Sequence, residues 1–216
     1  MTPSAQANQP RWTGQGFEIW FFVVLVPREA AALWVRITRY ADGPERDARV
    51  WAVVSSDAVV KAERTVLPLE ALEVVGEESP LVRVGEVEFG HGSSRGRCGS
   101  IAWSFEFTTR DPIVNRLPSL PSFIPLGTHS THPHGEAPVT GHVELAGRRI
   151  DLEGGLLTQM HIWGTQRVEW LRWAWVPRFV GGGVLELTAV APKAGKSELC
   201  ALWIALGEGP DAEIID

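Results

Sequence analysis

Several things are scarce in this chain. Of its 216 residues only two are cysteines, Cys98 and Cys200. They are too few for a disulfide scaffold and too isolated for a metal cluster, and such sparing thiol use predicts a cytoplasmic protein. Basic residues are in deficit: Lys+Arg 20 against Asp+Glu 26 gives a net charge of −6. Binding a phosphate backbone needs a concentrated basic surface, so nucleic-acid binding is excluded as a main function. Long apolar runs are lacking as well. The longest, Ile19–Val26, lies between Glu18 and Pro27 and is too short to cross a bilayer. Met1–Arg11 has neither a basic start nor an apolar stretch, so no secretory signal is expected. Residues 1–12 instead predict a flexible tail ahead of one domain over 13–216. Tyrosine occurs once, yet there are 10 Trp and 8 Phe. So much indole must either fill a core or line a site for an apolar, flat or unsaturated ligand.

What is present is alternation with a period of two. Leu33–Arg39 and Leu81–Phe89 alternate, the second interrupted by Gly85, and Ile101, Trp103, Phe105 and Phe107 share one strand face. Further strands are expected at Phe17–Val26, Val50–Ser55, Val59–Val66, Thr140–Leu145, Ile150–Leu156, His161–Gln166, Val168–Val176, Val184–Val190 and Leu199–Leu206. Turn residues separate them, and only Pro68–Val75 reads as a short helix. Such a pattern predicts an all-β fold, an antiparallel β-barrel or bent sandwich. Asp111–Pro138 carries six prolines, too many for a hydrogen-bonded ladder, and is expected to form a long crossover or lid loop.

Gly90–Gly96 resembles a phosphate-binding loop only superficially. A strand is expected on either side, and the spacing is not Gly-x-Gly-x-x-Gly, so a hairpin loop is predicted. No Gly-x-Ser-x-Gly elbow exists, and neither cysteine has a histidine nearby in sequence. His129, His132 and His134 have a spacing that could supply three nitrogen ligands. Set in a Pro-rich loop without an acidic partner before Glu136, they are expected to be solvated and metal-free.

The more informative groups are Glu18, Trp20 and Phe22 on one strand, His161 and Trp163 on another, and Glu169, Leu171, Trp173 and Trp175 on a third. In each set, strand parity places the members on a common face. Directed inward, such faces would put a carboxylate and an imidazole among indoles, where burial and neighbours tune acid–base behaviour. Directed outward, they would be ordinary core tryptophans with solvated or paired carboxylates. Both readings stay open on the residues alone.

Phe17-Glu18-Ile19-Trp20-Phe21-Phe22 resembles the Glu-x-Trp-aromatic opening of the lipocalin-like carotenoid hydratase and AttH group, which includes calycin-like fungal Diels–Alderases. Thr140–Arg148, Gly154-Gly155, His161-Ile162-Trp163-Gly164 and Trp173-Ala174-Trp175 follow in an order similar to that group's Gly-x-Gly…Asp-His-x-Trp-Gly and Trp-x-Trp stretches. The resemblance implies a calycin-like barrel acting, without a cofactor, on a hydrophobic polyene, terpenoid or polyketide-like molecule. The shared strand faces make His161 and Glu18 the expected catalytic groups, with Trp20, Phe22, Trp163, Glu169, Trp173 and Trp175 expected to line the substrate site. Met160 stands where the group commonly has an acid, which favours cyclisation, pericyclic ring closure or isomerisation over water addition. A non-catalytic carrier of an apolar ligand and a hydratase of an isolated double bond are the alternatives. The oligomeric state stays open.

Overall fold

A computed structural model describes residues 3–75, 81–108, 127–165, 168–177, 179, 183–191, 199–206 and 213–215. Among these, about 71% are in strand and 6% in helix. The helix content is well under a tenth, as the alternation requires. A first meander comprises β1 (Gly16–Val26), β2 (Ala31–Asp42), β3 (Glu45–Ser55) and β4 (Val60–Pro68). A second comprises β5 (Leu72–Val74), β6 (Val82–Val84), β7 (Val87–Phe89), β8 (Ser93–Cys98) and β9 (Ile101–Phe107). Between them run β10 (Thr128–Leu145), β11 (Arg148–Asp151) and β12 (Gly155–Gly164). The resulting sheet has the order β4-β3-β2-β1-β12-β10-β9-β8-β7-β6-β5, with β11 on β10, and every pairing is antiparallel. A second antiparallel sheet holds β13 (Trp170–Val176), β14 (Val184–Ala191), β15 (Leu199–Leu206) and β16 (Glu213–Ile215).

The large sheet curls on itself. Cys98 Sγ donates to the Val50 carbonyl at 3.6 Å and Ser100 Oγ to Glu63 at 2.8 Å, tying the β8–β9 turn to β3 and β4. No ladder among the described residues joins β4 to β5, so the sheet does not close. Its concave face is the core. Trp20, Phe22, Leu33, Val35, Ile37, Val54, Phe89, Phe105 and Val143 belong to one buried cluster. Phe22 lies 4.8 Å from Phe89 and 5.6 Å from Phe105, in geometries worth about 0.5–1.5 kcal/mol per pair beyond the area they bury. On the convex side Val23, Leu25 and Leu156 pack with Trp173, Trp175 and Val184 of the second sheet. β1 is thus covered on both faces, which is why Ile19–Val26 is continuously apolar instead of alternating.

Several expectations are corrected. Residues 128–138 are not loop but the first half of the 18-residue β10. The strand tolerates Pro133 because register shifts between Thr131 and His134, and again between His134 and Ala137, interrupt the ladder where the missing N–H would have donated. The rest of the Pro-rich stretch, 111–126, lies outside the described residues. Within Gly90–Gly96, expected as a hairpin loop, the strand β8 already begins at Ser93. Pro68–Val75 yields only a 3-10 turn at Leu69–Ala71, followed by β5. The segment before β1, read as a free tail, carries the short helix α1 (Pro3–Ala7) and fully buries Asn8. Among the described residues no helix is long and apolar enough to cross a membrane.

Candidate functional site

One end of the concave face is polar, and strand register explains it. In β1 the inward parity runs Glu18, Trp20, Phe22, Val24. Antiparallel pairing sets Glu18 opposite Arg39 of β2 and Trp163 of β12, and sets Trp20 opposite His161. Glu18 and His161 are both fully buried, and Arg39 is only 8% exposed. A buried charge persists only when paired and hydrogen-bonded. Glu18 Oε2 accepts from Arg39 Nε at 2.7 Å and also from its Nη2; Oε1 faces His161 Nε2 at 2.8 Å and accepts from the Arg11 backbone N–H at 2.6 Å. The Glu18 carboxyl group is thus enclosed by the Arg39 guanidinium, the Arg11 amide and the His161 ring. Burial pulls the Arg39 guanidinium below its ordinary pKa, and the Glu18 charge opposes that pull.

His161 is held on every side. Its ring stacks on Trp20 at 4.9 Å and 6° and leans on Trp163 at 4.8 Å and 37°. Nδ1 lies 3.0 Å from the Ala7 carbonyl oxygen. Each ring nitrogen therefore faces an oxygen, Nδ1 the Ala7 carbonyl and Nε2 the Glu18 carboxyl group. Arg39 lies 4.9 Å from the ring centre of Trp12 and 5.6 Å from that of Trp20, extending the cation–aromatic stack. Such an arrangement can hold a proton at His161 Nδ1, orient it from behind through Glu18, and stabilise developing positive charge against indole.

The tight turn-in of these strands depends on glycine. A Cβ on Gly164, the last residue of His161-Ile162-Trp163-Gly164, would collide with the Gly127 carbonyl, and one on Gly16 would collide with that of Gly164. The Gly in the motif is there because three backbones converge beside the site.

Deeper in the same face Gln159 is fully buried and accepts from Asn8 Nδ2 at 2.9 Å. His134 sits edge-on to Phe107 at 4.9 Å, and burial, helped by His91, lowers its pKa to about 4. Burial lowers that of His91 too. Of the four histidines of β10, the three closely spaced ones, His129, His132 and His134, diverge. His129 stacks on Trp163 at 5.7 Å, His134 meets Phe107, and His132 points to the convex side with Nε2 3.4 Å from Glu186. Among the described residues no three or more His, Cys, Asp or Glu side chains are grouped to hold a metal ion.

Of the residues singled out from the sequence, Glu18, Trp20, Trp163 and His161 come together, and Phe22 continues their face into the core. Trp173 and Trp175 do not join them. They lie on the second sheet, against the convex side of β1, where Trp173 contacts Phe21 at 6.0 Å and donates to Glu186 at 2.9 Å. Glu169 is exposed just ahead of β13. The separation arises because β13 pairs with β14 instead of joining the first sheet, which parity within one strand cannot reveal. Sequence reading missed Arg39, although its parity with Leu33, Val35 and Ile37 already placed a charge on an apolar face. It also missed Gln159, Thr131, Glu186 and the whole N-terminal segment.

Solved structures with the same architecture identify the fold. An AttH protein from Nitrosomonas europaea superimposes with a TM-score of 0.67 over 94% of this chain and 69% of its own length, at 13% identity. The chain has the fold of the lipocalin-like carotenoid hydratase and AttH group. Kievitone hydratase from Nectria haematococca aligns with a TM-score of 0.64 over 99% of this chain and 67% of its own, at 11% identity. CghA, solved with Sch210972, gives 0.63 over 88% and 57%, at 13% identity. The present chain thus spans between 57% and 69% of these AttH-fold relatives. The sequence matches no protein-family model and no curated protein.

Proposed function

We propose that this AttH-fold chain is a cofactor-independent enzyme that acts on a hydrophobic, unsaturated small molecule by cyclisation or isomerisation, with His161 as its acid. The observation that carries the reading is the buried Glu18–Arg39–His161 group between Trp20 and Trp163. A carrier needs only an apolar cavity, and a fully buried ion pair aimed at an imidazole serves it no purpose. In the proposed mechanism Glu18, clamped by Arg39, fixes the His161 ring and tautomer. Nδ1–H polarises or protonates an oxygen of the substrate, and the indole faces of Trp20 and Trp163 hold its unsaturated body and shelter positive charge as it develops. Two solved neighbours support small-molecule chemistry: one is a hydratase by name, the other was solved with Sch210972. Met160 faces away from His161 on β12 and supplies no proton to a substrate there, so isomerisation or ring closure is preferred over water addition. No metal is assigned, because the β10 imidazoles diverge.

The test is to incubate purified protein with a panel of conjugated polyenes and enones, following tryptophan quenching and analysing products by mass and retention time. His161→Ala is expected to abolish product formation and to leave apolar affinity within about threefold, since truncation spares the indole walls. Full activity of His161→Ala would reduce His161 to a core residue. Quenching of wild type without any product in the panel would favour the carrier.

A further inference from the structure

The N-terminal segment is not part of either sheet, yet its main chain does the work of a ligand at the polar end of the concave face. The Ala7 carbonyl lies 3.0 Å from His161 Nδ1 and accepts from Thr131 Oγ1 at 2.8 Å. The next carbonyl, Asn8, faces Trp20 Nε1 at 3.5 Å, and the Arg11 N–H is spent on Glu18. Two side-chain donors converging on one carbonyl oxygen, one of them an imidazole backed by a carboxylate, form the geometry that polarises a carbonyl.

The segment fits this position imperfectly. Asn8 and Gln159 are both fully buried, and their amides meet through a single hydrogen bond. Asn8 Oδ1 and Gln159 Nε2 are left with no partner. A buried polar atom without a partner is unfavourable, so the segment is held less firmly than its burial implies. Its one regular element, α1, is a single turn of five residues, far too short to be stable by itself. An occupant that lies outside both sheets, holds one short helical turn and leaves a buried amide incompletely paired is displaceable.

We propose that residues 5–12 are a built-in plug, and that the molecule which displaces them carries a carbonyl group on an apolar, flat body. Its oxygen takes the place of the Ala7 oxygen between His161 Nδ1 and Thr131 Oγ1, and its body replaces the segment against Trp20 and Trp163. Asn8 leaves with the plug, freeing the Gln159 amide for a second polar group on the ligand. This names the substrate class for the site proposed above and rests on that reading. It also adds a regulatory consequence: apparent affinity is lowered by the fraction of molecules in which the plug is seated.

The experiment uses the full chain with two probes of similar shape, the enone benzalacetone and the hydrocarbon β-ethylstyrene, which lacks the carbonyl. Calorimetry measures binding, and amide hydrogen exchange with mass spectrometry follows the peptide covering residues 5–12. Benzalacetone is expected to bind at least about tenfold more tightly than the hydrocarbon, and to speed exchange in residues 5–12 while slowing it in β1 and β12. Asn8→Lys would bury an unpaired ammonium against Gln159, where Asn8 is fully out of solvent, so it ejects the plug and should tighten benzalacetone binding by about tenfold. Equal binding of the two probes with exchange of residues 5–12 unchanged would overturn the plug and leave the apolar site standing. Slowed exchange in residues 5–12 on binding would also overturn it, because the segment would then be a lid that closes over ligand. If neither probe binds wild type or Asn8→Lys, the plug and the site beneath it fall together. Exchange on the wild-type chain keeps the proposal testable if Asn8→Lys fails to fold.

Discussion

Replacing Glu18 by Gln changes almost no volume and removes one charge, so its effect isolates the electrostatics of the buried group. In the wild type that carboxylate has Arg39 on one oxygen and His161 with the Arg11 amide on the other, and Glu18 and His161 are wholly out of solvent. A neutral amide leaves the 8%-exposed Arg39 cation without its counter-charge. One amide –NH2 is also turned toward a donor on whichever side it points. Removing one partner of a buried pair costs about 3–5 kcal/mol. For a chain of this size each kcal/mol lowers Tm by about 2–4 °C, so a fall of roughly 6–20 °C is expected. Urea unfolding followed by tryptophan emission should show the loss as a lower midpoint with an unchanged slope. Because the pair is buried, about 0.5 M salt should alter the difference little, unlike a surface ion pair. Glu18→Gln combined with Arg39→Met should be less damaging than the sum of the two, since the second change removes the stranded cation. A loss under about 1 kcal/mol for Glu18→Gln, or simple additivity in the cycle, would refute the buried-pair reasoning.

The packing of other residues sets further outcomes. His134 has its pKa lowered to about 4 from an ordinary 6.5, so the unfolded chain binds the proton more readily. Its stabilising effect is complete above about pH 6.5 and is lost as pH falls toward 4, by about 3 kcal/mol in all; His134→Gln should flatten that stretch of the stability profile. Gly164→Ala should cost several kcal/mol or prevent folding, because its Cβ meets the Gly127 carbonyl; wild-type stability would show that the three backbones do not converge there. Trp173→Ala should destabilise by roughly 1–3 kcal/mol in a thermal melt while leaving ligand quenching of the site tryptophans intact, since it packs half-buried on the convex side; lost ligand affinity would place it in the site. Dialysis against a chelator should leave melting temperature and activity unchanged, and stoichiometric zinc in untagged protein would contradict this.

Much of this protein follows from local pattern alone. Alternation with period two is a property of neighbouring residues, because successive side chains on a strand must point to opposite faces. It announced the all-β class, the strand at β9 with its apolar Ile101–Phe107 face, and the common faces of Glu18 with Trp20 and of His161 with Trp163. Composition likewise excluded a phosphate-binding surface. What parity cannot express is which strand lies beside which. That β1 sits between β2 and β12 was decided by the tertiary fold, and only this register turns Glu18, Arg39 and His161, far apart along the chain, into one buried group. The same limit explains the misplacement of Trp173 and Trp175, whose strand obeys the expected alternation but belongs to another sheet. It also explains β10, where two register shifts let a Pro- and His-rich stretch enter a ladder that local propensity forbids. The N-terminal segment is the extreme case. Nothing periodic marks residues 5–12, and their order comes from groups on the assembled sheet, Glu18 and Trp20 nearby in sequence and Thr131 and His161 more than a hundred residues away. Hydrogen-bond demand inside a core is a property of the assembled sheet, and only the assembled sheet could reveal what satisfies it.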